Sequence, residues 1–145
     1  MKADPTTESE IKSLMKAFEE AVSKRDLAAV MALFSQDPDC VHVGTGRDEW
    51  CVGTGELRRQ FERTFEQSES LSLRFDNLNV SSAGAVSWAA VNVTVSVRVA
   101  GRESTFAGRF TAVLEKRGGK WLFVQSHFSL PAAEQREGQS FPEAA

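Results

Sequence analysis

The first part of the chain places apolar residues at the three- and four-residue spacing of amphipathic helices. Thr7 and Glu10 have the spacing of a capping box, which predicts a first helix that continues to about Lys24. Asp26 is placed to cap a second helix, and Thr54 to cap a third. The apolar faces of the three helices contain Ile11, Leu14, Met15, Phe18 and Val22, then Leu27, Val30, Met31 and Phe34, then Leu57, Phe61 and Phe65.

The second half of the chain alternates apolar and polar residues, which is the two-residue period of half-buried strands. Glycine-containing turns separate four such segments and are typical of hairpins. The four predicted strands cover residues 71–80, 85–100, 102–117 and 121–130. A short β-prone run at 40–44 lies between the second and third helices. The order α-α-β-α-β-β-β-β predicts an α+β protein in which three N-terminal helices pack against an antiparallel sheet.

Composition limits the classes of protein that fit this order. The 145 residues are 41% hydrophobic and 26% charged, with a net charge of -3, which is typical of one globular domain. We expect that domain to span residues 1–145, with an ordered core at about 8–131 and a polar tail at 132–145.

The same composition disfavours several partners. Neither half of the chain has the basic excess that binding to a nucleic-acid backbone requires. No apolar run is long enough to span a membrane, and the N-terminal residues lack the apolar segment of a signal peptide. The two cysteines, Cys40 and Cys51, fit a reducing compartment, so we expect a cytoplasmic protein.

Three short stretches add to the order of elements: Lys24-Arg25-Asp26-Leu27, Gly44-Thr45-Gly46-Arg47-Asp48-Glu49-Trp50 followed by Gly53, and the segment from Gly119 to Pro131. Together they resemble the nuclear transport factor 2-like superfamily, in particular its SnoaL-like branch with the cystatin-like fold, over about residues 11–131. The resemblance implies a strongly curved antiparallel sheet that forms a cone around the helices. It also implies a ligand pocket at the open end of the cone and, commonly, a homodimer through the sheet.

The superfamily includes isomerases, dehydratases, cyclases and epoxide hydrolases as well as protein-binding modules, and a fold alone does not choose among these functions. Ketosteroid isomerase-like and scytalone dehydratase-like sites use tyrosines, and this chain has none. Asp48 and Glu49 form a pair of loop carboxylates suited to acid–base chemistry, with a solvated pair as the alternative. An arginine for a limonene-type epoxide hydrolase site is present in Arg109, but no pair of inward aspartates is apparent.

Polar residues of the last strand are the first candidates for the pocket. Gln125, His127 and Ser129 alternate along one predicted strand and therefore share a face. If this face points into the cone, these side chains orient a ligand by hydrogen bonds, and His127 is the candidate acid or base. The alternative is that this face meets solvent or a partner subunit.

Four further residues complete the predicted ligand-binding set. Arg109 is suited to a carboxylate or phosphate, or else is a surface arginine paired with an acidic residue on a neighbouring strand. Trp50 stands in a charged loop, where it either caps the mouth of the pocket or packs against the third helix. His42 is a candidate on the short strand. Trp88 shares a strand face with small apolar residues and belongs to the pocket, the core or an interface.

Residues of zinc-binding type are present but lack the paired spacing of a zinc motif. They are Cys40, His42, Cys51 and His127. We therefore predict no metal and no cofactor.

The sequence thus predicts a protein that binds a small apolar or mixed-polarity molecule, and it leaves open whether the protein is a cofactor-free isomerase, dehydratase or cyclase. The alternative is a non-catalytic homodimerisation or interaction module. A homodimer is expected because the longest valine-rich strand has a second, polar face and would be a hazardous free edge. The valines of that strand are Val91, Val93, Val95, Val97 and Val99.

Overall fold

The computed structural model describes residues 1–143, which form three helices and one six-stranded sheet. The helices are α1 (Pro5–Ser23), α2 (Leu27–Met31) and α3 (Thr54–Glu66). The strands are β1 (Val41–Val43), β2 (Trp50–Val52), β3 (Ser70–Ala83), β4 (Val86–Val99), β5 (Arg102–Arg117) and β6 (Lys120–Ser129).

The start of α1 differs from the prediction. The N-cap is Asp4, whose carboxylate accepts a hydrogen bond from the backbone N–H of Thr7 at 2.8 Å, and Pro5 occupies the first turn. Residues ahead of the helix pair with the edge of β3, where Lys2 lies opposite Ser81. This short segment covers part of a strand edge that would otherwise be open to another chain.

The turn between α1 and α2 is held by Arg25, which has a positive φ of 56°. Its guanidinium donates hydrogen bonds to the backbone carbonyls of Phe65, in the last turn of α3, and of Ser68, two residues beyond the helix. Asp26 caps α2 as predicted, accepting from the N–H of Ala29 at 3.0 Å. The corner therefore fixes the two N-terminal helices against the C-terminal end of α3.

The strand order across the sheet is β2-β1-β6-β5-β4-β3. The four long strands form the predicted antiparallel meander, while β1 runs parallel to β6. Strand β2 lies within the segment predicted as a loop; at three residues it is too short to show an alternating pattern. The expected α+β cone is confirmed: the sheet is curved, open at its edges and wrapped on the helices.

Two irregularities curve the sheet and change the direction of side chains. Register shifts between Asp76 and Asn79 on β3, where Asn77 has a positive φ of 55°. A second shift lies between β5 and β6, where Val124 is the extra residue of a bulge. Beyond this bulge the inward-facing positions of β6 move by one residue, so Ser126 faces inward with Phe123.

Aromatic rings fill the narrow part of the cone around Phe18 of α1, which is fully buried. Its ring centroid lies between 5.6 and 6.4 Å from those of six other rings, mostly in edge-to-face geometry. These rings belong to Phe34, Phe61, Phe75, Phe110, Phe123 and Phe128. Helices and sheet are therefore locked together through one aromatic cluster.

The chain after β6 contains turns and neither helix nor strand over residues 132–143. Residues 144 and 145 of the predicted polar tail lie outside the described residues. Within residues 1–143, none of the helices combines the length and the hydropathy needed to cross a bilayer.

Candidate functional site

A cavity of about 200 Å³ opens at the wide end of the cone, between α1, α3 and the inner face of the sheet. The aromatic cluster closes its lower end through Phe18 and Phe61. Most of the wall is apolar and comes from alternate residues of β4 together with residues near the end of β6, such as Val95 and Leu130. A concave, mostly apolar wall with few polar groups is the usual form of a small-molecule site.

His42 is the buried polar group of this cavity. It is the central residue of β1 and is only 4% exposed. Ser126 of β6 and Cys51 of β2 are its register partners on the inner face of the sheet. The centroid of the imidazole lies 5.8 to 6.0 Å from the ring centroids of Phe34, Phe61 and Phe128.

The two ring nitrogens of His42 have different surroundings. Nδ1 is 2.7 Å from the hydroxyl oxygen of Ser126. Nε2 has no hydrogen-bond partner within residues 1–143. Every side-chain nitrogen or oxygen of these residues that is fully shielded from solvent does have a partner, so Nε2 is not fully shielded. Nε2 is therefore open to the cavity that His42 lines. Because the Ser126 hydroxyl can donate to Nδ1 or accept from it, Nε2 can be either a donor or an acceptor.

Burial keeps this imidazole uncharged at neutral pH. Loss of hydration in the apolar surroundings and, to a smaller extent, the nearby charge of His127 together lower the pKa of His42 to about 4. A neutral imidazole can donate or accept one hydrogen bond without bringing a charge into the cavity.

Glu49 brings a carboxylate to the mouth of the cavity from the loop between β1 and β2. Its Oε2 accepts a hydrogen bond from the N–H of Gly46 at 3.0 Å. The side chain folds back beneath the loop, and a Cβ at either Gly44 or Gly46 would collide with it. The two glycines thus leave the space that Glu49 occupies.

The loop is fastened to α3 by Arg63. The guanidinium donates to both carboxylate oxygens of Asp48, at 2.6 and 3.1 Å, and lies 3.6 Å from Oε1 of Glu49. The hydrogen bond from Arg63 lowers the pKa of Asp48. A further bond from Arg63 to Gln60, at 2.8 Å, extends this polar rim along α3. Of the two loop carboxylates predicted as a pair, Asp48 therefore binds Arg63 and Glu49 lines the cavity.

Gln125 and His127 do not line this cavity, contrary to the expectation that their strand face points into the cone. Both side chains are exposed on the outer face of β6. The bulge at Val124 is the physical reason, because it reverses the alternation of the strand after Phe123. The assignment of His127 as an acid or base inside the cone therefore loses its geometric basis. Ser129, at the end of the strand, does reach the cavity wall.

Three further predicted residues also lie on the outer face. Trp50 is on β2 and is 68% exposed, and Trp88 is on β4 and is 36% exposed, so neither caps the mouth of the cavity. Arg109 is exposed on β5, opposite Asn92 in register. Glu103 and Glu115, the acidic residues expected as its partners, are paired with Arg98 and Arg117 instead. Of the residues predicted to bind a ligand, His42 and Ser129 line the cavity within the described chain.

The residues of zinc-binding type do not converge. His42 and Cys51 are register partners on the inner face, whereas His127 is on the outer face. Across residues 1–143 no group of three or more His, Cys, Asp or Glu side chains is arranged to hold a metal. Both cysteines are buried and unoxidised, and burial raises the pKa of each thiol.

Sequence reasoning missed three polar residues of the site. Gln60 and Thr64 line the cavity one helical turn apart, flanking the apolar face of α3 that was identified. Their positions next to Phe61 on the helix indicate that they lie at the border of its apolar face. Ser126 lies between Gln125 and His127, and in a regular strand it would point away from the face that those two residues share.

A comparison with solved structures finds the same fold in proteins of different description. A nuclear transport factor 2-like superfamily protein from Salmonella enterica serovar Typhimurium matches with a TM-score of 0.83 and 19% identity, covering 96% of this chain and 100% of that one. A proposed dehydratase of the NTF2-like family from Streptomyces avermitilis matches with a TM-score of 0.80 and 18% identity, covering 90% and 100%. A proposed calcium/calmodulin-dependent protein kinase II association domain from Xanthomonas campestris matches with a TM-score of 0.78 and 23% identity, covering 91% and 95%.

These matches establish a shared fold. The matched proteins themselves are described in one case as an enzyme and in another as an association domain. A comparison with curated proteins gives no match. The SnoaL-like domain matches residues 11–133, which is nearly the whole of the helices and the sheet. With its helices inside a curved sheet and a cavity at the open end, the chain belongs to the SnoaL-like family.

Proposed function

We propose that the protein binds a small, mainly apolar molecule in the cavity at the open end of the cone. The observation that carries this proposal is His42, a buried imidazole whose Nε2 is open to the cavity without a protein partner. Nε2 is reached from the cavity and is free to bond a ligand there. A ligand that pairs a polar group with Nε2 and lays its apolar part on the wall matches both kinds of surface in the site.

The size of the cavity limits the ligand. An apolar protein cavity of roughly 150 Å³ accommodates benzene, and this one is about 200 Å³. A single substituted ring, or a chain of similar volume, therefore matches the size of this cavity.

The reaction class that fits this site is cofactor-free proton transfer, as in an isomerase or a dehydratase. Glu49 is the only carboxylate in the cavity lining among residues 1–143, and it would accept or return a proton at the mouth. His42 would stabilise charge on a carbonyl or hydroxyl oxygen as a neutral hydrogen-bond donor. The proposed dehydratase among the structural neighbours supports this class.

The test of ligand binding uses two substitutions at adjacent positions of β4. Val95 faces the cavity and Thr94 faces outward, so Val95→Phe fills the site while Thr94→Phe adds the same ring outside it. Native mass spectrometry of the full chain, purified without added ligand and then with cyclohexanone as a probe, measures occupancy. The wild type and Thr94→Phe are expected to bind, and Val95→Phe to lose binding. Unchanged binding by a folded Val95→Phe protein would overturn the proposal.

A second proposal concerns the outer face, which we expect to form a homodimer. Trp50, Val52, Val86 and Trp88 are exposed on strands β2 and β4, and Val41, Val43 and Val113 lie between them. No helix of the described chain packs on this patch, and an exposed apolar patch of this kind is typical of an interaction surface. The alternative function, a non-catalytic association module, rests on this patch.

Light scattering on the full chain tests the dimer. The expected mass is twice the 15.9 kDa of one chain, and Trp88→Glu is expected to return it to one chain mass. Arg109→Glu, also on the outer face but among polar residues, is the matched control. A wild-type mass of one chain at micromolar concentration would contradict this proposal.

The remaining expectations are also proposals. We propose that residues 8–131 fold as one unit, which is supported by the aromatic cluster that joins α1, α3 and the sheet. We propose a reducing, cytoplasmic location, which is supported by the two buried free cysteines.

A further inference from the structure

We infer that the cavity selects uncharged ligands and rejects carboxylates and phosphates, an inference that rests on the proposed binding of a ligand there. The expected ligand class is a compound of about one ring that carries a carbonyl, amide or hydroxyl group for Nε2 of His42. The inference follows from the charges, the helix ends and the protonation of the lining.

The lining contains no cation. Among residues 1–143, neither a lysine nor an arginine belongs to the cavity wall, and Glu49 is its one acidic side chain. An anion that entered would leave water for an apolar enclosure without a counter-ion, which is unfavourable. The carboxylate at the mouth adds repulsion.

Two arginines near α3 are engaged elsewhere. Arg63 is held by Asp48 in a two-pronged pair and also lies near Glu49. Arg25 donates to the carbonyls of Phe65 and Ser68 and stacks on the ring of Phe65 at 5.2 Å. Neither guanidinium is free to turn toward a bound anion without breaking these contacts.

Within the described chain, the cavity wall offers no helix N-terminus to an anion. The wall residues from α1 and α3, such as Phe18 and Gln60, lie beyond the first turns of these helices. Among residues 1–143, no first-turn residue of either helix belongs to the wall. The backbone N–H groups at which anions bind are therefore missing from this wall.

His42 does not provide the missing positive charge. Phe34, Phe61 and Phe128 surround its ring, Cys51 lies beside it in register, and Ser126 occupies Nδ1. Among the titratable groups facing it, His127 on the outer side of the sheet opposes protonation. The imidazole therefore stays neutral at pH 7 and offers one hydrogen bond rather than an ion pair.

The same hydrogen bond identifies the uncharged group that fits. Rotation of the Ser126 hydroxyl allows Nε2 to donate to a carbonyl or to accept from a hydroxyl or amide. An amide such as benzamide satisfies either form. Benzoate has nearly the same shape and differs in charge, so the two compounds separate charge selection from size.

The experiment measures the dissociation constants of benzamide and benzoate for the full-length wild-type protein by ligand-observed NMR at pH 7.5. For fragments of this size the expected value for benzamide is on the order of 1 mM. Benzoate is expected to bind at least about tenfold more weakly. Glu49→Gln should narrow this ratio, because it removes the like charge at the mouth. His42→Phe should weaken benzamide, and the matched His127→Phe on the outer face should not.

Each outcome decides a different claim. Equal or tighter binding of benzoate, with displacement of benzamide, overturns the inference on charge and leaves ligand binding intact. Failure of both compounds to bind, or binding of benzamide that survives Val95→Phe, overturns the proposed function as well. The central ratio comes from the wild type and does not depend on the folding of any variant. His42→Gln is a second variant for the case in which His42→Phe does not fold. Its side-chain amide can replace the hydrogen bond of the imidazole, so it should bind benzamide more tightly than His42→Phe and less tightly than the wild type.

Discussion

The inner and outer faces of the sheet are built from the same strands but differ in what they bury. On β5, Phe110 faces inward and is 0% exposed, while the next residue, Thr111, is exposed on the outside. The inner face joins the aromatic cluster and ends in the cavity. The outer face carries two exposed tryptophans, and no helix of residues 1–143 packs on it. The contrast shows that one step along a strand decides whether a residue supports the core, the cavity or a surface.

The two histidines show the same contrast at the level of chemistry. His42 and His127 are on neighbouring strands, and His127 is the register partner of Val43, the residue after His42. His42 is buried against three aromatic rings, whereas His127 is exposed. Burial, and not residue type, makes one of them a neutral group of a cavity and leaves the other an ordinary surface side chain.

The largest expected effect compares Phe110→Ala with Thr111→Ala. Removing the Phe110 ring leaves a void beside Phe128, whose centroid is 4.4 Å away, and should cost about 3 to 5 kcal/mol of unfolding free energy. Thr111→Ala should change stability by about 0.5 kcal/mol or less. Urea unfolding measures both. Similar losses at the two positions would mean that the faces are not distinguished by burial.

The second prediction concerns the dependence of stability on pH. The folded pKa of His42, about 4, lies below the ordinary value of 6.5, so between these values the unfolded chain binds a proton that the folded protein does not. The contribution of His42 to the free energy of unfolding is therefore fully present above pH 6.5. It falls by about 3 kcal/mol as the pH drops to about 4.

Denaturation series from pH 7 to pH 4 on two variants check this prediction. His42→Phe should lose this part of the pH dependence, and His127→Phe should retain it. Subtracting each variant from the wild type cancels the carboxylates that titrate in the same range. A wild-type slope that persists in His42→Phe would show that His42 is not the buried group responsible.

The smallest expected effect is local and concerns the loop that bears Glu49. Arg63→Ala removes the pair with Asp48, so amide hydrogen exchange should accelerate in the segment from Gly44 to Glu49. Global stability should change little, because the pair is exposed. Arg58→Ala, at an exposed position of the same helix, is the control. Equal rates of amide exchange in both variants would show that the pair between Arg63 and Asp48 does not hold the loop.

Much of the fold could be predicted because it depends on long periodic segments. The apolar spacing of α1 and the alternation of β3 to β6 gave the element order and the antiparallel meander. Short elements carry too few residues for such a pattern, which is why β2 was missed. The start of α1 was misplaced because Asp4 and Thr7 are both good capping residues, and the structure uses the first.

The candidate site was harder to predict, since it depends on the parity of one strand. A regular β6 would place Gln125 and His127 beside Phe123, but the bulge at Val124 turns Ser126 inward instead. Nothing in the local sequence marks that extra residue. The inward direction of His42 likewise depends on the parallel pairing of β1 with β6, a contact between segments far apart in the chain.

The most direct measurement is a nitrogen NMR titration of the two imidazoles in the full-length protein with benzamide. If the cavity is the binding site, Nε2 of His42 shifts to saturation and the His127 resonances stay in place. The same titration of Val95→Phe should leave both histidines unchanged. A saturating shift at His127 with none at His42 would place binding on the outer face and contradict the account.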